Sequence, residues 1–501
     1  MKVQRRLRRG SGHSKLKGRG TQSVSPRQSD LPLCVDLDGT LIRTDLLVES
    51  FFGSLRRNAL ILFLAPFWLL RGKAHLKHRL AQVAVVDCRF LPYHGDFVDY
   101  LRMQRARGRS LILTTSSHEK YAHQVAEHLG FFDDVIASNE RRNLSGTEKR
   151  KVLSERFGSG GFDYAGNSND DLKVFQDAQR GILVDPERNV EHRANKIVQI
   201  EHVFSSKGSA ISTLVRALRI HQWLKNLLVF VPLLAAHKYM DLKLLSVGIG
   251  AFIAFGLCAS ATYLLNDFLD LPADRAHARK RLRPLASGQL SSKVGVLLIP
   301  ILLAVAFGIG IALSRDFALI LLAYLIVTVS YSLWLKTKIL VDVLVLAGLY
   351  TMRILAGSAV TGISPSFWLL AFSMFLFLSL AMVKRFTELL SLREANRMAA
   401  AGRGYEVVDI ATIQSMGASS GYLSVLVLAL YINSDDVLMQ YHHPEVLWLL
   451  CPLLLYWISR MWQRAGRGEM DDDPLVYAVK DSISRWVIAV GGIVVVVGAL
   501  V

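Results

Sequence analysis

Apolar runs of about bilayer length recur through the carboxy-terminal part of this chain, and they limit what it can fold into. They fall roughly at 224–240, 244–265, 293–313, 316–334, 340–360, 365–383, 411–433, 445–462 and 485–501. A helix needs about 20 such residues to cross the ~30 Å hydrocarbon layer. Within lipid every backbone polar group must be satisfied internally, which leaves helices or closed barrels. The pattern predicts a polytopic bundle of about nine transmembrane helices. The first is the weakest, being short and interrupted by Pro232. Residues 1–210 read as soluble sequence, so the 51% hydrophobic content is concentrated in the second part of the chain. An ordinary soluble enzyme is excluded.

Loop charge sets the expected orientation. With the soluble part in the cytoplasm, the inside loops 266–292, 335–339, 384–410 and 463–484 are rich in Lys and Arg, whereas the outside loops hold only Lys238, Lys243 and Arg315. That asymmetry follows the positive-inside rule. The net charge of +18 then reflects anionic headgroups and phosphorylated substrates, and no nucleic-acid partner is expected. Residues 1–29 are basic and lack an apolar core. They read as a disordered tail on the anionic leaflet and not as a signal peptide. The four cysteines, Cys34, Cys88, Cys258 and Cys451, have no metal or disulfide spacing.

The run Asn266-Asp267-Phe268-Leu269-Asp270-Leu271-Pro272-Ala273-Asp274-Arg275 begins where an apolar segment ends, at a membrane–water boundary. Carboxylates persist there mainly as functional groups with partners. On a helix continuing past Leu265, Asn266, Asp270 and Asp274 share one face, with Asp267 at its edge. Clustered carboxylates open to a cavity suit Mg²⁺, which prefers a few protein oxygens together with substrate phosphates. Arg275, Lys280 and Arg281, with Arg279 and Arg283, supply cations for those phosphates.

The soluble part carries a second constellation. Leu31–Val35 is a short apolar strand leading directly into Asp36-Leu37-Asp38-Gly39-Thr40. Leu111–Thr115 is a strand ending in a hydroxyl, Lys149 lies before the helical pattern 150–157, and Gly166-Asn167-Ser168-Asn169-Asp170-Asp171 follows strand-like 162–165. This ordered set resembles the haloacid dehalogenase (HAD) superfamily and implies an α/β Rossmann-like phosphatase domain over 30–205 with a helical cap at 45–95. By that resemblance Asp36 is the nucleophile and Asp38 the acid and base. Thr115 and Lys149 would contact phosphate, and Asp36, Asp38, Asn167 and Asp171 would serve Mg²⁺. Asn167 stands where the family usually has Asp, which lowers the expected metal affinity. The apolar stretch 59–70 within the cap is too short for a span; it reads either as cap core or as a membrane-dipping helix.

Beyond an interfacial linker helix at 206–222, residues 223–501 resemble the UbiA superfamily of intramembrane transferases. The matching segments are the Asn266–Asp274 run, 222–226, 280–288, 331–336, 384–389 and 467–481. Within the superfamily the likeness is to the branch that transfers phosphoribose to decaprenyl phosphate. Leu346 stands where aromatic prenyltransferases usually complete an Asp-x-x-x-Asp motif after Asp342, a departure that favours this branch. The resemblance implies a bacterial cytoplasmic-membrane enzyme moving 5-phosphoribosyl from phosphoribosyl diphosphate to a polyprenyl phosphate. The phosphatase domain would then remove the product's remaining phosphate monoester. Asp267, Asp270, Asp274 and Asp342 would hold Mg²⁺-diphosphate. Lys225, Arg275, Lys336, Arg353, Lys384 and Arg385 are expected to bind phosphate, and Asp473, Tyr477 and Asp481, spaced i, i+4 and i+8, to present another acidic face to ribose hydroxyls. The alternative is prenyl transfer from a prenyl diphosphate to an aromatic acceptor, beside a regulatory or inactive soluble domain.

Overall fold

Six parallel strands form the sheet of the amino-terminal domain: β1 (Leu33–Val35), β2 (Leu111–His118), β3 (Asp134–Ser138), β4 (Asp163–Gly166), β5 (Arg180–Val184) and β6 (Gln199–Phe204). The computed structural model describes residues 31–205, 208–394, 403–470 and 473–500. The basic tail therefore lies outside the described residues. The strand order is β3-β2-β1-β4-β5-β6, so the winding direction reverses between β1 and β4. Such a switch point leaves a crevice at the carboxyl ends of the strands, where α/β sheets bind ligands. Asp36 leaves β1 at that crevice, its N–H donating to Ala165 O at 2.9 Å. Leu33, Cys34 and Val35 are fully buried, as a central parallel strand covered on both faces requires.

Between β1 and β2 the chain forms a cap of three helices, α1 (Leu46–Arg57), α2 (Ile61–Leu70) and α3 (Lys73–Val83). Asp45 caps α1 by accepting from the Leu47 and Val48 N–H groups at 2.9 and 3.3 Å. Phe52 of α1 stacks on Phe268 with ring centroids 4.5 Å apart, and the two join Leu55, Leu264 and Leu285 in one apolar cluster. The soluble domain is thus seated on the mouth of the membrane bundle.

Among the described residues seven helices are long and apolar enough to cross a membrane: Leu242–Leu269, Ser292–Leu313, Arg315–Leu333, Val341–Thr361, Phe367–Glu394, Val407–Ile432 and Ser482–Ala499. The other two expected segments do not qualify. Residues 220–235 fold as a 3₁₀ stretch, Ile220–Phe230, followed by the short helix Val231–Ala235. Pro232 forces that restart. The segment 445–462 becomes a 3₁₀ turn, Pro444–Leu449, and the helix Leu450–Gly466, whose last turns carry Arg460, Gln463 and Arg464. The chain is a multi-pass integral membrane protein.

The first span packs through small residues. Gly256 lies against the Trp223 ring, which leaves no room for a Cβ, and Trp223 donates to Ser260 Oγ at 2.9 Å. This helix ends at Leu269, Asp270 forms a turn, and Leu271–Ala276 restarts as a separate helix. Pro272 lacks an N–H and its ring would clash with the carbonyl four residues back, so the expected continuous helix through Asp274 does not form and Pro272 sits instead in the first turn of the new helix.

Candidate functional sites

In the soluble domain, residues from four elements converge at the β1–β4 crevice. Lys149, in the first turn of Gly146–Phe157, donates to Asp36 Oδ1 at 2.6 Å and to Tyr164 OH at 2.9 Å, and lies 3.8 Å from Asp171. Asp171 also accepts from Tyr164 OH at 2.7 Å, from the Asn167 and Ser168 N–H groups at 3.0 and 2.8 Å, and from Ser168 Oγ at 2.7 Å. It therefore shapes the 166–171 loop. Thr40 Oγ1 lies 3.3 Å from both Asp36 Oδ2 and Asn167 Oδ1. Gly39 has φ +80°, and any side chain there would strike Asn167.

Asp38 faces the cap. It accepts from Leu46 N at 2.8 Å and Ser117 Oγ at 2.6 Å, and Thr115 Oγ1 is 3.4 Å away. Burial, then neighbouring Asp45, push its carboxyl up to about 6. Burial likewise lifts Asp36 to about 7 despite Lys149. Burial pulls Lys149 down, but Asp36 and Asp171 outweigh it and hold the ammonium protonated. Three buried carboxylates around one lysine leave the crevice short of positive charge. The Asp36 carboxylate and the Asn167 amide oxygen, flanking one hydroxyl, form an oxygen donor set that fits Mg²⁺.

Sequence reasoning missed Ser117, Tyr164 and Lys77. Ser117 follows Thr115 by two on β2 and so shares its face, a period-2 signal present in the sequence. Lys77 of α3 donates to Ser116 O at 2.5 Å and Asn143 Oδ1 at 2.8 Å, and burial lowers its ammonium.

At the mouth of the membrane bundle the acidic run is folded into cation contacts. Arg283 Nη1 sits between Asp267 Oδ1 at 3.2 Å and Asp274 Oδ2 at 2.5 Å, and Arg219 also pairs with Asp267. Asp270 instead accepts from Lys336 Nζ at 2.7 and 3.0 Å and pairs with Arg56 of α1 at 3.4 Å. Asn266 is half-buried, and its carbonyl accepts from the Asp270 N–H at 2.9 Å. Among the described residues no three His, Cys, Asp or Glu side chains gather closely enough to hold a metal ion. Asp267 and Asp274, from successive helices, nonetheless converge on one cationic nitrogen. Two carboxylates completed by substrate phosphates are a fitting set for Mg²⁺.

The remaining expected ligands are distributed. Arg275 turns from the mouth to Glu49 of α1, with Nη1–Oε2 at 2.9 Å and Nη2–Oε1 at 2.6 Å, so it joins the two domains. Lys280 is half-buried and Arg281 exposed on the same loop. Lys225 pairs with Asp473, and Lys384 is the next cation acting on Asp473, whose carboxyl the two hold low against the effect of burial. Asp342 is fully buried, accepting from Arg385 Nε at 2.5 Å and Tyr405 OH at 2.6 Å. Arg385 also reaches Glu388 at 2.6 Å and Tyr331 OH at 3.0 Å. Arg353 lies apart from this cluster, its Nε donating to Asn226 Oδ1 at 2.9 Å. Asp481 pairs with Arg460 at 2.7 and 3.0 Å. Asp473 and Asp481 flank the helix Pro474–Lys480 from opposite ends, so they do not form one acidic face. Arg219, and Arg403, whose Nε lies 3.0 Å from Glu388 Oε1 and Nη1 3.9 Å from Asp342, were not anticipated, and neither carries a local signal.

Residues 227–497 match the UbiA prenyltransferase family and residues 33–176 the haloacid dehalogenase-like hydrolase family. An uncharacterized protein, y4nM, of Sinorhizobium fredii is 36% identical over 460 residues, covering 91% of this chain and 89% of its own. The nodulation protein NoeC of Azorhizobium caulinodans is 38% identical over 272 residues, covering 54% of this chain and 88% of its own. Decaprenyl-phosphate phosphoribosyltransferase of Mycobacterium tuberculosis is 34% identical over 186 residues, covering 36% of this chain and 62% of its own. A cation-paired acidic mouth on a helical bundle and an Asp36–Lys149 crevice on a parallel sheet thus occur in one chain, which belongs to the UbiA prenyltransferase family and carries a haloacid dehalogenase-like domain ahead of its membrane region.

Proposed function

We propose that the membrane region transfers 5-phosphoribosyl from phosphoribosyl diphosphate to a polyprenyl phosphate, and that the soluble domain then removes the 5-phosphate from the lipid-linked product. The observation that carries this reading is α1, which touches both sites. Its first N–H holds Asp38, Glu49 grips Arg275 beside Asp274, and Arg56 reaches Asp270. A product phosphate released at the mouth has a hydrolytic crevice one helix away, where local concentration favours capture. The mycobacterial relative supports the donor and acceptor classes.

Bound Mg²⁺ would neutralise the departing diphosphate at the mouth and the transferred phosphoryl group in the crevice. The protein's own groups do the rest. Arg219, Arg283 and Lys336, displaced from Asp267, Asp274 and Asp270, turn to the diphosphate oxygens as charge develops there. The acceptor phosphate oxygen forms a bond to ribose C1 as the C1–diphosphate bond breaks. In the crevice, an Asp36 oxygen bonds to phosphorus while Asp38 gives its proton to the leaving ribose hydroxyl. Asp38 then takes a proton from water, which releases inorganic phosphate and frees Asp36.

The soluble domain belongs to the cytoplasmic side in this reading. The two shorter segments would also cross, restoring nine passes. Lys225 pairs with Asp473 near the mouth, whereas Gln440 Nε2, beyond the opposite end of Val407–Ile432, donates to Ala235 O at 2.7 Å. The test offers phosphoribosyl diphosphate with polyprenyl phosphate, and prenyl diphosphate with an aromatic acid, to the reconstituted protein. Diphosphate release from the first pair alone is expected. Release from the second alone refutes the reading.

A further inference from the structure

We infer that cap helix α2 is seated in the lipid of the leaflet facing the soluble domain, and that it holds the mouth of the phosphatase crevice against the bilayer. Apart from the Trp68 indole N–H, no polar side-chain group occurs from Ala59 to Leu70. Leu60, Leu62, Phe63, Leu64, Phe67, Leu69 and Leu70 are between 41% and 84% exposed, and within α2 only Ile61 and Ala65 are buried. Beyond the side that Ile61 and Ala65 pack on the protein, α2 is apolar all round and has no face to turn to water; a protein groove would cover only part of that surface, whereas lipid covers all of it.

The occupant is fixed by position. Arg56 Nη1 donates to the carbonyl of Leu269, the last residue of the first span, at 3.2 Å, and Phe52 stacks on Phe268. The end of α1 therefore sits at the level where the bundle leaves the membrane. Ile61 follows five residues later, within about 17 Å of that level even in extended chain. A ten-residue helix is about 15 Å long, half the hydrocarbon thickness, enough to enter one leaflet and too short to span. Arg57 precedes it, and Arg71 and Lys73 follow it, all exposed and matched to anionic headgroups. Gly72, at φ +108°, turns the chain into α3, whose Arg79 lies over Trp68 at 5.4 Å. Through Lys77, α3 also touches the crevice beside Asp38. Whatever holds α2 also sets the distance between the crevice and the lipid surface. The consequence that the crevice takes a lipid-linked phosphate monoester rests on the proposed function; the lipid seating of α2 does not.

The test uses the full chain in nanodiscs of phosphatidylcholine and phosphatidylglycerol. Nitroxides are placed by Phe63→Cys, Phe67→Cys and, as a soluble-domain control, Met103→Cys, each with Cys451→Ser. At 63 and 67, collisions with oxygen should exceed those with a water-soluble nickel chelate severalfold, with the reverse at 103. Nickel access at 63 and 67 equal to that at 103, or exclusion of both reagents, overturns the inference; exclusion of both would assign the helix to a protein partner. In a second arm, Phe63→Asp with Phe67→Asp should leave p-nitrophenyl phosphate hydrolysis within twofold and cut hydrolysis of the lipid-linked phosphoribose at least tenfold. If the depth result holds while lipid hydrolysis is unchanged, the seating stands and the lipid-substrate reading fails.

Discussion

The Glu49–Arg275 pair should hold the two domains together, and its loss should be measurable as domain release. Both side chains are only 6% exposed, and they meet through two parallel hydrogen bonds of 2.9 and 2.6 Å. Thr44 Oγ1 adds a third bond to Glu49 at 2.5 Å, and Arg275 Nε donates to Ala286 O at 3.1 Å. Glu49→Ala strips the carboxylate from a buried guanidinium and leaves it mainly the Ala286 carbonyl. Breaking a buried pair from one side costs about 3–5 kcal/mol, whereas replacing both partners with apolar groups is often near neutral. With a protease site placed in the 205–209 linker, the cleaved soluble domain should dissociate from the membrane region roughly 150- to 5,000-fold more readily in Glu49→Ala. Glu49→Leu with Arg275→Met should recover most of that loss, giving a coupling energy of about 3 kcal/mol in the double-mutant cycle. A Glu49→Ala domain that stays bound within threefold of the unsubstituted protein refutes the docking role assigned to this pair.

Three further outcomes follow from the geometry. His94, lowered to about 4 by burial and then by Arg43, stays neutral in the fold. Its contribution is complete above pH 6.5 and is lost as pH falls toward 4, about 2 kcal/mol by pH 5, so the soluble domain's melting temperature should drop between pH 7 and 5, and less so in His94→Asn. Gly39→Ala forces a left-handed residue and a clash with Asn167, which should cost about 1–3 kcal/mol in thermal denaturation and abolish phosphatase turnover. Asp270→Ala removes the partner of Lys336 and Arg56 and should slow diphosphate release by on the order of 10²-fold or more in a coupled pyrophosphate assay.

The Asp36–Lys149 crevice was legible because its motifs are local and each sits at a strand end that the parallel sheet brings to one edge. Asp36, Thr115 and Asn167 need only the β2-β1-β4 adjacency to meet. The transferase mouth was legible in composition but not in pairing. The i, i+4, i+8 reading of Asn266, Asp270 and Asp274 assumed a continuous helix, and Pro272 broke it, so Asp267 and Asp274 share Arg283 while Asp270 turns to Lys336. Arg275 looked like a phosphate ligand because its partner, Glu49, lies 226 positions away across a domain boundary. The cations Arg219 and Arg403 depend on long-range packing that no spacing encodes. The two shorter segments were readable as apolar runs, but Pro232 and the arginines of Leu450–Gly466 set their helical form.

The most direct measurement follows the labelled ribose. Supplied with 5-phosphoribosyl diphosphate labelled in the sugar, polyprenyl phosphate and Mg²⁺, the reconstituted protein should yield a lipid-linked pentose free of monoester phosphate. Asp36→Asn should instead accumulate the lipid-linked pentose 5-phosphate at an unchanged rate of diphosphate release. Normal dephosphorylated product from Asp36→Asn, or full transfer after chelation of the divalent cation, would contradict the account.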